Sequence, residues 1–159
     1  MVFAIGCGGG GVGPIEGESL IHDRASCFGI PDCVESQIFR KGDLLDLVVT
    51  RVRPQEIVAH SEATLTPAGV QAFVDLAAEF GPERAGDLRT CNAGDGDDLG
   101  VTLERSGTAY TLFYCVAPET FPELAPLTDF AFSFVDAFAR CGTSDLFDLG
   151  FCELPSIDQ

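Results

Sequence analysis

Leu65-Thr66-Pro67-Ala68-Gly69-Val70-Gln71-Ala72-Phe73-Val74-Asp75-Leu76-Ala77, followed by Gly81-Pro82, is the stretch on which the reading of the fold turns. Thr66 is a good helix N-cap. Pro67 falls at the first helical position, where its missing N–H is no loss. Leu65 and Val70 occupy the two positions of a hydrophobic staple. Val70, Phe73, Val74 and Ala77 then recur at helical spacing as one face. Gly81-Pro82 ends the run. The stretch predicts an amphipathic helix with defined ends.

The segments on either side read as strands. Upstream, Ser36 to Arg40 is a short strand and Lys41-Gly42-Asp43 a turn. Leu44 to Arg53 is β-rich, with Leu45, Leu47 and Val49 on one side and Val48, Thr50 and Val52 on the other. Pro54 interrupts it, and Ile57 to Thr64 alternates as a third strand. Downstream, Leu99 to Arg105 and Thr108 to Cys115 form a hairpin across Ser106-Gly107. Tyr110, Leu112 and Tyr114 share one face of its second strand. Leu127, Phe130, Ala131, Phe134 and Phe138 then return to helical spacing, with Cys141 one turn further and Gly142 as the cap. The expected order is β-β-β-α-β-β-α. Hairpin connections imply an antiparallel sheet, so the expected fold is α+β: two layers, about five strands, two helices on one face.

The chain has 159 residues, which suits one domain. Hydrophobic residues make up 46%, including 13 Phe, so the material for a core is present. Nine basic residues stand against 25 acidic ones, for a net charge of −16. Such a chain repels phosphate backbones and anionic lipid headgroups, which argues against nucleic-acid binding; a cation, a basic partner or simple solubility fits better, and solubility is the default reading. No apolar run approaches the roughly 18 residues of a spanning helix.

Seven cysteines leave one over after pairing. Cys7 stands apart, preceded by Ala4-Ile5-Gly6 and followed by Gly8-Gly9-Gly10-Gly11. Small residues before a cysteine suit signal-peptide cleavage, and glycines after it make a flexible tether. These residues resemble the lipobox and tether of a bacterial lipoprotein. The resemblance covers this short stretch alone and leaves the fold and function of the globular part open. It implies that Cys7 is lipidated and that the protein sits in the bacterial cell envelope, outside the cytoplasm. Residues 1–19 are then a truncated signal remnant and Gly-rich tether, and 20–159 a single domain. The other six, Cys27, Cys33, Cys91, Cys115, Cys141 and Cys152, allow about 15 pairings. Their spacing suggests three local ones: Cys27 with Cys33 around a turn, Cys91 with Cys115 around a hairpin, and Cys141 with Cys152 closing the C-terminal loop. No Cys-x-x-Cys is present and neither His22 nor His60 lies near a tight cysteine cluster, which argues against zinc.

The loop Cys91-Asn92-Ala93-Gly94-Asp95-Gly96-Asp97-Asp98 is the most suggestive chemically. Asn92, Asp95, Asp97 and Asp98 offer oxygen ligands that suit Ca²⁺. An EF-hand started at Asp95 fails, because Leu99 and Ser106 fall where ligands belong. A solvated acidic loop is the default, and no other cofactor is expected. Gly6-x-Gly8-x-x-Gly11 lacks the strand before it and the helix after it that a dinucleotide site needs. His22-Asp23, His60 with Glu62 on one side of a strand, and Ser144-Asp145 carry no specific chemistry by themselves. The expected function is non-enzymatic: a lipid-anchored binding protein for an unidentified protein or cation. The alternatives are a small secreted hydrolase or transferase, with His60, Glu62 and the Asp95–Asp98 loop converging, and a Ca²⁺-stabilised module.

Overall fold

The structure is a computed structural model and describes residues 17–24, 33–52, 54–84, 97–116 and 122–155. Among the described residues, seven strands and two longer helices follow in the order β1 (Glu18–Arg24), β2 (Val34–Lys41), β3 (Leu44–Arg51), β4 (Glu56–Leu65), α1 (Pro67–Glu79), β5 (Asp97–Arg105), β6 (Thr108–Val116), α2 (Ala125–Ala139) and β7 (Phe147–Phe151). All strands join one antiparallel sheet with the spatial order β6-β5-β1-β2-β3-β4-β7. The α+β class and the antiparallel sheet are as expected. The strand count and order are corrected: among the described residues the sheet has seven strands rather than about five, in the order β-β-β-β-α-β-β-α-β.

The two additional strands are β1 and β7. β1 begins at Glu18 and is central: it pairs with β2 on one side and β5 on the other. It thereby joins the β2-β3-β4 meander to the β5-β6 hairpin. Its sequence, Glu18-Ser-Leu-Ile-His-Asp-Arg, shows no two-residue alternation because a register shift between Ser19 and Ile21 lets both Leu20 and Ile21 be buried. β7 is a five-residue edge strand on β4, also beside a register shift, between Glu62 and Ala63.

Both tight turns have the backbone their residues suggest. Gly42 has a positive φ of 63° at the first turn position between β2 and β3. Ser106 and Gly107 both have positive φ, 54° and 76°, which gives a turn twisted to match its strands.

The core lies under one face. Leu112, Val101, Ile21, Ile38 and Leu47 are successive register partners across five strands, and each is at most 1% exposed. α1 packs mainly on β5, and α2 on β1 and β3. Between the helices and the sheet sits an aromatic cluster. Phe73 of α1 meets Phe130 and Phe134 of α2 with ring centroids 5.2 and 5.7 Å apart. Phe147 of β7 inserts between Phe134 and Phe138, at 5.0 and 5.1 Å. Such edge-to-face and tilted pairs add to the gain from burial alone.

The ends of α1 explain how β7 is held. Thr66 Oγ1 accepts from the Gly69 N–H at 3.1 Å, as an N-cap should, and donates to the Asp145 carbonyl at 2.6 Å. The Thr66 N–H donates to the Leu146 carbonyl at 3.0 Å. Gly69 has no side chain because a Cβ there would run into that same carbonyl. The buried stripe of α1 is therefore Gly69, Phe73 and Ala77, and the expected face is rotated: Val74 is 49% exposed. At the other end, Tyr110 Oη donates to the Ala77 and Phe80 carbonyls at 3.1 and 2.8 Å, satisfying groups the helix leaves unpaired. Burial pushes the Tyr110 hydroxyl above its ordinary pKa, with Arg105 opposing the shift and Glu83 adding to it.

α2 ends in a Schellman turn: the Gly142 N–H donates to the Ala137 carbonyl and the Cys141 N–H to that of Phe138. The left-handed residue is Cys141, at φ 55°, rather than the expected glycine. Cys141 is disulfide-bonded to Cys152, just past β7, which ties α2 to the sheet edge. Cys33 is also disulfide-bonded. Cys7, Cys27 and Cys91 lie outside the described residues.

Candidate functional site

Side chains alternate along a strand, so each residue beside a core residue points the other way. Ile21, Ile38, Leu47, Ala59 and Ser61 face the helices. His22, Gln37, Asp46, Val48, His60 and Glu62 therefore share the opposite face. Among the described residues, no element lies across it. The face is mostly polar and half-buried, with Val48 buried among its polar neighbours at 5% exposed, because neighbouring strands crowd each side chain.

Two histidines stand on it, each beside a carboxylate of an adjacent strand. His22 of β1 has Nε2 3.7 Å from Glu35 Oε2 of β2, and Arg24 Nε approaches the same oxygen at 3.9 Å. His60 of β4 has Nε2 3.2 Å from Asp46 Oδ1 of β3. Asp46 pairs directly with Glu62, two residues beyond His60, so one imidazole and two carboxylates gather at this end of the sheet. Their ligand atoms lie within 4.8 Å of one another. Phe151, the register partner of Glu62, flanks them, its ring centroid 6.5 Å from that of His60. The backbone N–H of His60 donates to Glu153 Oε2 at 3.3 Å. The buried Ser61 hydroxyl accepts from the Glu153 N–H at 3.0 Å, extending the sheet edge past β7.

The rest of the face has two shallow depressions. One, of about 300 Å³, is lined by Glu35, Gln37, Phe39, Val48, Thr50 and Ile57. The other, of about 360 Å³, is lined by Ser19, His22, Gly100, Thr102 and Thr111. Gln37 Nε2 donates to Ser19 Oγ at 3.0 Å, and the hydroxyls of Thr102 and Thr111 share a hydrogen bond at 2.8 Å. These cross-strand bonds leave a surface that is polar, shallow and rigidly held.

The residues singled out from sequence are dispersed. Asn92 and Asp95 lie outside the described residues. Asp97 and Asp98 open strand β5, in ladder pairs with Val116 and Cys115. Three strands separate Asp98 from His60, roughly 19 Å at ordinary strand spacing, so these two do not converge. His22 and Asp23 are successive residues of β1 on opposite faces. Ser144 accepts from the Leu146 N–H and Asp145 from Thr66, both as parts of the turn into β7. His60 and Glu62 do share a side, and the structure adds Asp46, which sequence reading missed. The signal was the pairing register of β3 with β4, which their separate patterns do not contain.

The chain matches no protein-family model, and neither a curated protein nor a solved structure matches it significantly.

Proposed function

We propose that this chain is a cell-envelope lipoprotein, tethered through Cys7, that binds a basic protein partner across the open face of its sheet without catalysing a reaction. The observation that carries the reading is the one-sidedness of the sheet. Both helices lie on one face, and the other holds half-buried polar side chains in fixed positions. Glu35, Asp46, Glu62 and Glu104 project from that face, within a chain of net charge −16. Complementary charge steers such a surface towards a basic partner. Disulfide bonding of Cys33, Cys141 and Cys152 favours an oxidising compartment outside the cytoplasm. Among the described residues no helix is long and apolar enough to cross a membrane. A lipid on Cys7 would supply the anchor.

Two measurements test this. Mass spectrometry of the native protein should find a lipidated Cys7 at the mature N-terminus; an unmodified Met1 in membrane-free material would remove the anchor. Affinity capture from envelope extract should retrieve a basic protein that salt releases. Gln37→Lys combined with Thr50→Lys should abolish that capture, whereas Val74→Lys on the outer side of α1 should not. Equal capture by all three chains would overturn the assignment to the open face.

A further inference from the structure

The trio Asp46, His60 and Glu62 has a chemistry of its own. Asp46 and Glu62 stand directly opposite one another on β3 and β4. Like charges in that relation repel and weaken strand pairing. Here they are accompanied by an imidazole whose Nε2 faces Asp46 Oδ1 at 3.2 Å. We propose that these three residues form a binding site for a divalent transition cation of the zinc class. One nitrogen and two carboxylate oxygens would hold it, and its remaining coordination positions would face solvent.

The donor set argues for the cation. Ca²⁺ and Mg²⁺ take oxygen ligands, whereas an imidazole beside carboxylates suits zinc and its neighbours in the transition series. The geometry agrees. Two donors each about 2.1 Å from a tetrahedral ion lie roughly 3.4 Å apart. The His60 and Asp46 atoms are already 3.2 Å apart. An ion between them replaces their direct contact with little movement of either strand. Glu62 is exposed, and rotation of its side chain brings in the third oxygen.

The scaffold is rigid. β3 is paired on both sides, by β2 and β4, and β4 by β3 and β7. Three protein donors with open positions match the count at zinc sites that exchange a ligand, rather than the four of a closed structural site. Phe151, 52% exposed, forms an apolar wall next to those positions. A water or a donor atom from a bound molecule would complete the coordination.

The test is a titration of chelator-treated protein with zinc chloride against a chromophoric chelator, in millimolar Ca²⁺. One zinc should bind per chain. Loss of an outer partner alone costs roughly 10–100-fold in metal affinity, so His60→Gln and Glu62→Gln should each weaken binding at least about tenfold. His22→Gln and Asp98→Asn should leave it unchanged. In the unaltered chain, zinc should shift the ring resonances of His60 and not those of His22, a readout that needs no variant to fold. Undiminished affinity in both His60→Gln and Glu62→Gln, displacement of zinc by Ca²⁺, or unmoved His60 resonances at saturating zinc would each overturn the site. The cation does not depend on the basic partner: an unaltered chain that binds zinc but captures no basic protein would sink only that reading.

Discussion

The two faces of the sheet are built from the same strands and differ in almost every other respect. On the helix side, Leu112, Val101, Ile21, Ile38 and Leu47 form an unbroken apolar row. Each such side chain gains roughly 1.5–3 kcal/mol on burial. On the open side the neighbouring positions hold His22, Gln37, Asp46, His60 and Glu62. Half-buried polar groups of this kind bring little stability, and directly opposed carboxylates such as Asp46 and Glu62 oppose pairing. One face therefore holds the fold together, while the other presents chemistry that stability alone does not require.

That contrast can be broken first on the helix side. Phe147→Ala removes the ring that inserts between Phe134 and Phe138 and should cost about 3–5 kcal/mol, read as a lower denaturant midpoint. Replacing Cys141 and Cys152 together by serine frees α2 from the sheet edge and should cost about 2–4 kcal/mol in the same assay. Position 141 would keep its left-handed backbone without the covalent tie to the sheet edge.

Tyr110→Phe should cost about 1–2 kcal/mol through the carbonyls it leaves unpaired. It should also change the alkaline limb of stability. The hydroxyl's pKa is raised in the folded chain, mainly by burial, so ionisation favours unfolding. The contribution is full below the ordinary tyrosine pKa of about 10 and lost as pH rises through the folded value. In the phenylalanine variant, unfolding curves across that window should lose this component. The smallest effect belongs to the open face: Gln37→Ala, which removes one hydrogen bond to Ser19, should shift stability by no more than about 1 kcal/mol. A large loss there would show that the open face is structural after all.

The same contrast explains what could be read in the sequence. The strands β2 to β6 and both helices announce themselves through periodicity and end signals, as Thr66-Pro67 and Ser106-Gly107 show. β1 does not, because the register shift at Ser19 places the adjacent Leu20 and Ile21 both in the core and erases alternation. β7 is short, carries Gly150, and gains its place from the Thr66 contacts to Asp145 and Leu146. The part of the helix-side core that β2 to β6 and the helices supply was thus legible from one-dimensional pattern, apart from Val74, whereas Leu20, Ile21 and Phe147 were not. The open face was not, because His60 and Glu62 meet Asp46 only once β3 and β4 are in register. Cross-strand neighbours are set by pairing, and no strand carries that information alone.

Site-specific photo-crosslinking in the cells that make the protein tests the open face as a docking surface most directly. A photoreactive residue at Thr50 lies on the open face, and one at Val74 lies on the exposed side of α1. Thr50 should form a discrete adduct with a basic protein while Val74 forms none. An adduct at Val74 with none at Thr50 would contradict docking at the open face.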